Sequence, residues 1–373
     1  MNDERHRVIV IGPTPPPFNG MSVATELVLE GLGGAFDIYH LDTADRRGLS
    51  NIGKLDFRNV YLALLHGVEY LRALTDFRPD LVYVPISQSA LPFLRDCLFL
   101  VPARLLRKRV VLHLHGSDFR NFYEAEPSWF RALMRFALGD ARKAIVLGAS
   151  LFTMFDGLLP VHSICAVSNG IPDLEVNVES RRGSAGPVTV LFLSTLMKEK
   201  GVLDLVAAIP AIIQRFPNCH FVFAGEWLRA AEQEDAERFI HQQGVLSFVT
   251  FAGPVGPVAK KALLQSAHVF VLPSYHEGQP FAILEALCAG LPIVTTDVGC
   301  IKDSVVDGKN GFIVERKSPE SLAERLLLLL TNQDLRDRMG SASRDMYLSQ
   351  HKAEVFVGRL SAVWSAALTA DSL

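Results

Sequence analysis

Short apolar, β-branched runs recur along the chain, each followed by a stretch with helical spacing. Arg7–Gly12, Phe36–Leu41, Asp80–Val84, Arg109–Leu114, Ala144–Leu147 and Ser163–Val167 read as strands in the first half. Val188–Leu193, Cys219–Ala224, Ser247–Phe251, Val269–Leu272, Pro292–Thr295 and Gly311–Val314 repeat the theme in the second. Near-continuous apolar strands alternating with helices predict parallel sheets covered on both faces. Two such sets predict two doubly wound α/β domains. Asn177–Pro187, rich in charge, Gly and Ser, reads as the linker between them. The last helical stretch, Ala353 to Leu368, places Val355, Phe356, Leu360, Val363 and Trp364 on one face. On pattern alone that face packs against the second domain.

Composition changes this picture little. At 373 residues two domains are expected rather than one. A net charge of −3 offers no argument for nucleic acid. The five cysteines are odd in number and form no C-x-x-C pair, which predicts free thiols in a reducing compartment. The eleven histidines contain no H-E-x-x-H, so no metal site is expected; His162 and Cys165 have ligand-like spacing but suit core packing. The N-terminal residues are charged, with no signal-peptide apolar region, and no run reaches the roughly 18 apolar residues of a spanning helix. The expected location is cytoplasmic, or peripheral at the inner face of the cytoplasmic membrane.

Ligands on such sheets bind beyond the carboxyl ends of the strands, and the chemistry-bearing residues cluster there. After Val269–Leu272 come Glu277, in a polar loop, and Glu285, in a helix whose first turn suits Pro280 and which Gly290 and Pro292 end. Backbone N–H groups around Pro280, Phe281 and Ala282 offer an anion site such as a diphosphate requires. Taken alone, two Glu residues near a helix start also read as solvated or dipole-paired. Lys200 sits where a helix begins, against the dipole, which is tolerable if an anion binds there. Gly20 and small residues open a helix after the first strand. His115-Gly116-Ser117-Asp118 follows a strand, and reads either as a sugar contact or as a loop His with Asp118 capping a helix. Asn169-Gly170 is a turn signal. Gly253-Pro254-Val255 suits a flat ring or a plain turn.

Together these pieces resemble the retaining glycosyltransferase family 4, with the GT-B fold. The most specific part is the E-x7-E element, Glu277 to Glu285. His115-Gly116-Ser117-Asp118, Asn169-Gly170 and Lys200-Gly201 fit in order and spacing. The resemblance implies two Rossmann-like domains facing a central cleft. An acceptor-binding domain would span residues 1–177, completed by the C-terminal helix at 353–369, and a donor-binding domain 187–352. It implies transfer of a sugar from a nucleotide diphosphate sugar, with retention, to a glycan or lipid-linked acceptor in surface polysaccharide or glycolipid synthesis. Glu277 would contact the donor sugar, Glu285 the ribose, His115 the sugar, and Lys200 the diphosphate. Gly20, Gly278, Pro280, Phe281 and Ala282 would add donor contacts, and Gly253, Pro254 and Val255 would lie near the base. Asn19, Ser22, Asp118, Asn169 and Thr195 are further candidates. No cofactor, metal or nucleic acid is implied.

Two departures stand out. Ser194-Thr195 replaces a frequent Gly-Arg, and Asn19 replaces the first glycine of a usual pair. The missing arginine leaves Lys200 with more of the diphosphate. A GT-B epimerase or phosphorylase, and a degenerate sugar-nucleotide-binding scaffold subunit, are the alternatives. In the first domain, Leu91–Arg109 sets apolar residues beside Arg104, Arg107, Lys108 and Arg109, with Arg131, Arg135, Arg142 and Lys143 following. This surface reads either as a contact for anionic lipid or as a helix with a solvated basic end.

Overall fold

The computed structural model describes residues 5–16, 20–46, 56–177 and 186–369. Asn19 and residues 178–185 of the expected linker lie outside the described residues. The chain divides into two compact units, Met1–Gly170 with Ala353–Leu373, and Ile171–Lys352.

The first unit runs β1 (Arg7–Gly12), α1 (Gly20–Leu32), β2 (Asp37–Asp42), α2 (Phe57–Asp76), β3 (Leu81–Ile86), α3 (Ala90–Leu105) and β4 (Arg109–Leu114). It continues through α4 (Phe119–Ala125), α5 (Ser128–Leu138), β5 (Lys143–Val146) and β6 (Ile164–Ala166). The strands form one sheet in the order β2-β1-β3-β4-β5-β6, all parallel. Burial follows position in the sheet. Every residue of the inner strand β3 is buried, whereas the edge strand β2 buries only Leu41.

The second unit runs β7 (Val188–Leu193), α6 (Val202–Arg215), β8 (Cys219–Ala224), α7 (Ala230–Gln242), β9 (Val249–Gly253), α8 (Pro257–Ser266) and β10 (Val269–Leu272). It closes with α9 (Phe281–Cys288), β11 (Ile293–Thr296), β12 (Gly311–Val314), α10 (Pro319–Thr331) and α11 (Gln333–Met346). Its sheet order is β12-β11-β10-β7-β8-β9, again parallel. The entering and leaving segments are tied to its core. Asp173 pairs with Arg344 at 2.5 Å, and the Tyr347 hydroxyl donates to the Ile171 carbonyl at 3.1 Å.

All the expected strands are present among the described residues. Their limits move by a residue or two at places such as β9, where Ser247 belongs to a 3-10 turn ahead of the strand. Pro280 is a correction: its backbone is extended and it caps α9, which begins at Phe281. The last helix is α12 (Ala353–Thr369), which pattern alone set against the second domain and the family resemblance assigned to the first. It packs on α1, β3 and β4 of the first unit. Trp364 is fully buried there, with its ring 5.2 Å from Phe36 and 5.3 Å from Tyr83. Among the described residues no helix is long and apolar enough to cross a membrane.

Removing a buried indole leaves a cavity that the sheet beneath cannot fill. Trp364→Ala is therefore expected to cost the first unit about 3–5 kcal/mol. Urea unfolding followed by circular dichroism checks this. An unchanged midpoint for every transition would show that α12 is not part of that core.

Candidate functional site

In a doubly wound sheet, ligands settle where the chain leaves neighbouring strands in opposite directions. In the second unit that point lies between β7 and β10. From β7 the chain proceeds to β8 and β9 on one side, and from β10 to β11 and β12 on the other. The loops beyond these two strands carry Lys200 and Glu277.

Lys200 ends a 3-10 turn, Lys198–Lys200, and Gly201 follows with φ of 76° before α6 starts. A Cβ at Gly201 would lie 2.2 Å from the Pro273 carbonyl oxygen, so glycine lets the two loops touch. The Tyr275 amide donates to the Glu199 carbonyl at 2.8 Å, and the Tyr275 hydroxyl to Asp204 at 2.9 Å. Stitched this way, the loops bring Lys200 Nζ to 2.6 Å from Glu277 Oε1. Ser274 Oγ donates to the same oxygen at 2.9 Å. Gly299 supports the loop from behind, with φ of 59° and a would-be Cβ 2.1 Å from the Glu277 carbonyl oxygen. The Cys300 amide donates to the Gly278 carbonyl at 3.1 Å.

Glu285 lies in the second turn of α9 and pairs with Lys260 of α8. Burial pushes the Glu285 carboxyl above the usual range, although Lys260 pulls it down. Each carboxylate thus has its own lysine. The first-turn amides of α9, at Phe281 and Ala282, have no helical partner, and Pro280 supplies no side-chain cap. The structure therefore gathers Lys200, Glu277, Gly278, Pro280, Phe281, Ala282 and Glu285 on the loops and helix around one sheet opening. Gly253, Pro254 and Val255 end β9 and lead into α8, the helix that supplies Lys260. Thr195 is exposed just after β7.

The remaining candidates belong to the first unit. Gly20 opens α1, and Ser22 is buried in its first turn. Asn169 is buried near the unit's boundary. Asp118 occupies the cap position of α4 but makes no cap bond; its carboxylate accepts from Asn121 Nδ2 at 2.6 Å, which corrects the capping expectation. His115 follows β4 and stacks on His113, with ring centroids 3.9 Å apart. His113 Nδ1 and the Tyr83 hydroxyl are 2.5 Å apart. Burial pushes His115 down to about 4, and burial with the neighbouring His115 lowers His113 well below its ordinary value.

Sequence reasoning missed Lys260 and gave Ser274 no role. A signal for Lys260 was available: like Lys200, it sits early in a helix, where the dipole disfavours a cation. The basic surface proposed around Leu91–Arg109 is largely engaged locally. Arg104 pairs with Asp140, Lys108 donates to the Pro79 carbonyl, and Arg135 to the Tyr123 hydroxyl.

Residues 177–346, most of the second unit, match the family model described as glycosyl transferases group 1. The chain is 35% identical over 173 residues to spore coat protein SA of Bacillus subtilis, covering 45% of this chain and 46% of that protein. It is 24% identical over 255 residues to GDP-mannose:cellobiosyl-diphosphopolyprenol alpha-mannosyltransferase of Xanthomonas oryzae pv. oryzae, covering 68% of this chain and 66% of that one. The chain spans about half the length of the curated relatives it matches. Anabaena Alr3699/HepE, solved in complex with UDP and glucose, superposes with a TM-score of 0.72 over 97% of this chain and 99% of its own, at 15% identity. The fold class is GT-B, built from two Rossmann-like domains.

Two expectations follow. Lys260→Met leaves Glu285 buried without its cation and should destabilise the second unit, and adding Glu285→Gln should restore most of the loss. Equal losses in the single and double variants, by urea unfolding, would contradict the pairing. The histidine pair sets an acid limit. Both imidazoles bind protons less readily folded than unfolded, so stability falls as pH drops from about 6.5 towards 4, by about 1.4 kcal/mol per pH unit for each histidine. His115→Gln should flatten that slope in melts of the first unit; an unchanged slope would contradict it.

Proposed function

We propose that the chain is a retaining glycosyltransferase that takes its donor, a nucleotide diphosphate sugar, at the β7–β10 opening. The acceptor is a glycan or a lipid-linked glycan. The observation that carries this reading is the Lys200–Glu277 pair, which sets a half-buried ammonium and a carboxylate at the sheet's switch point. The match of this unit to a glycosyltransferase family supports it. The relative named for a diphosphopolyprenol substrate supports a lipid-linked acceptor.

In this reading the diphosphate binds at the start of α9, where the Phe281 and Ala282 amides face it. Lys200 turns from Glu277 to the diphosphate, and Glu277 is released towards the donor sugar. Departure of the leaving group builds negative charge on the diphosphate, which the ammonium and the helix amides stabilise in place. No metal is required for that step. Glu285, held by Lys260, contacts the ribose, and the base lies near Gly253–Val255. The acceptor attacks on the face the diphosphate leaves, and the departing phosphate oxygen takes its proton. His115, kept neutral, contributes a hydrogen bond to a sugar hydroxyl.

Calorimetry against UDP, GDP, ADP and dTDP, with and without magnesium, is expected to find one diphosphate bound independently of the metal. Binding of none would favour the scaffold alternative, with the exposed Thr195 in the arginine's place as the reason. Glu277→Ala should lower turnover of the donor far more than it weakens nucleotide binding, and Glu285→Ala should mainly raise the donor KM. Normal kinetics in both variants would overturn the site assignment.

A further inference from the structure

The first unit has its own switch point, between β1 and β3, from which the chain diverges to β2 and to β4. A cavity of about 570 Å³ opens there, within the usual range for a small-molecule site. Gly12 at the end of β1, Ala44 after β2, and Pro85 and Ser87 at the end of β3 line it. Its other walls are α2 and α3, through side chains such as Leu62, Ala63, Leu98 and Phe99. Arg95 also lines it, ion-paired at 3.0 Å with the buried Asp96.

The mouth of this cavity is unusual. Val60, Leu64, Leu91 and Leu94 line it and are also exposed to solvent. They continue into an apolar stripe along the outer face of α2. Phe57, Tyr61, Leu64, Val68 and Leu71 recur every three or four residues, with Phe57 98% and Tyr61 61% exposed. A surface helix normally turns such a stripe inward. Polar side chains, among them Asn59, His66 and Ser89, also line the cavity and suit a ligand's head group, but a bare sugar would leave the apolar walls and the stripe unused, and a flat protein partner would cover the stripe without filling the cavity. A hydrocarbon chain drawn from a lipid surface satisfies both: its tail fills the apolar cavity, and the stripe rests in the lipid it came from. Arg95 supplies a cation for a phosphate at the head of such a chain.

We infer that the α2–α3 cavity holds the hydrocarbon chain of a phosphate-headed lipid acceptor, taken up while the α2 stripe lies on the membrane surface. Calling this ligand an acceptor rests on the transferase reading; its binding does not. Calorimetry with farnesyl phosphate is expected to show binding at least tenfold tighter than to inorganic phosphate. Ala63→Trp and, independently, Leu98→Trp fill the cavity and should each weaken farnesyl phosphate at least tenfold. Binding of the nucleoside diphosphate, measured on the same samples, should stay unchanged and reports that the proteins are folded. Flotation with neutral phosphatidylcholine vesicles should fall at least fivefold in the Leu64→Glu, Val68→Glu double variant. No binding of farnesyl phosphate by protein that binds a nucleoside diphosphate overturns this inference and leaves the transferase reading standing. Binding of farnesyl phosphate without any nucleotide supports the lipid cavity and undermines the transferase reading instead. A dimer in sedimentation that the double variant abolishes, with no flotation of the parent protein, overturns the lipid assignment in favour of a second copy.

Discussion

The reversal of strand order between β7 and β10 is the constraint from which the second unit's site follows. From the carboxyl ends of these two parallel strands the chain leaves towards opposite sides of the sheet, so the loops beyond them diverge and an opening remains. Whatever stands at the tips of those loops faces the opening. Here those residues are an ammonium and a carboxylate 2.6 Å apart. Strand order fixes where the charges sit; Gly201 and Gly299 then let backbone approach backbone closely enough to hold them.

Holding charge there is costly. A carboxylate withdrawn from water must find a cation or take up a proton. Glu277 meets Lys200 and Ser274, and Glu285 meets Lys260. Even so, burial dominates at Glu285. Such pairs contribute little to stability compared with well-packed apolar side chains. On the proposed reading their position serves an anion: a bound diphosphate would replace Glu277 as the partner of Lys200, and Glu277 would keep the Ser274 hydroxyl and turn to the donor sugar.

Much of this was legible in the sequence because parallel strands buried on both faces read as unbroken apolar runs. β7, β8, β10 and β12 keep the limits their runs suggest. The loop carrying Glu277 was legible for the same reason: it is polar between a buried strand and an apolar helix. Lys260 was not, because its partner is 25 residues away and only the fold joins them. Pro280 suits a first helical turn by its fixed φ, but its ψ of 127° places it one residue outside α9. The outward stripe of α2 escaped notice because helical spacing reports that apolar residues share a face, not which way that face points. For α12 the period alone suggested the second domain and only the family resemblance pointed to the first, since amphipathicity carries no address.

The return of α12 to the first unit bears on how the chain is made. The second unit is one continuous segment, Ile171–Lys352. The first is interrupted, and the Trp364 that fills its core is synthesised only after the whole of the second unit. Domains assemble as units during synthesis. The first unit, although translated first, must therefore wait with part of its sheet uncovered while the second closes. Order of synthesis and order of completion are inverted, and the nascent first unit is the stage at which a chaperone has most to protect.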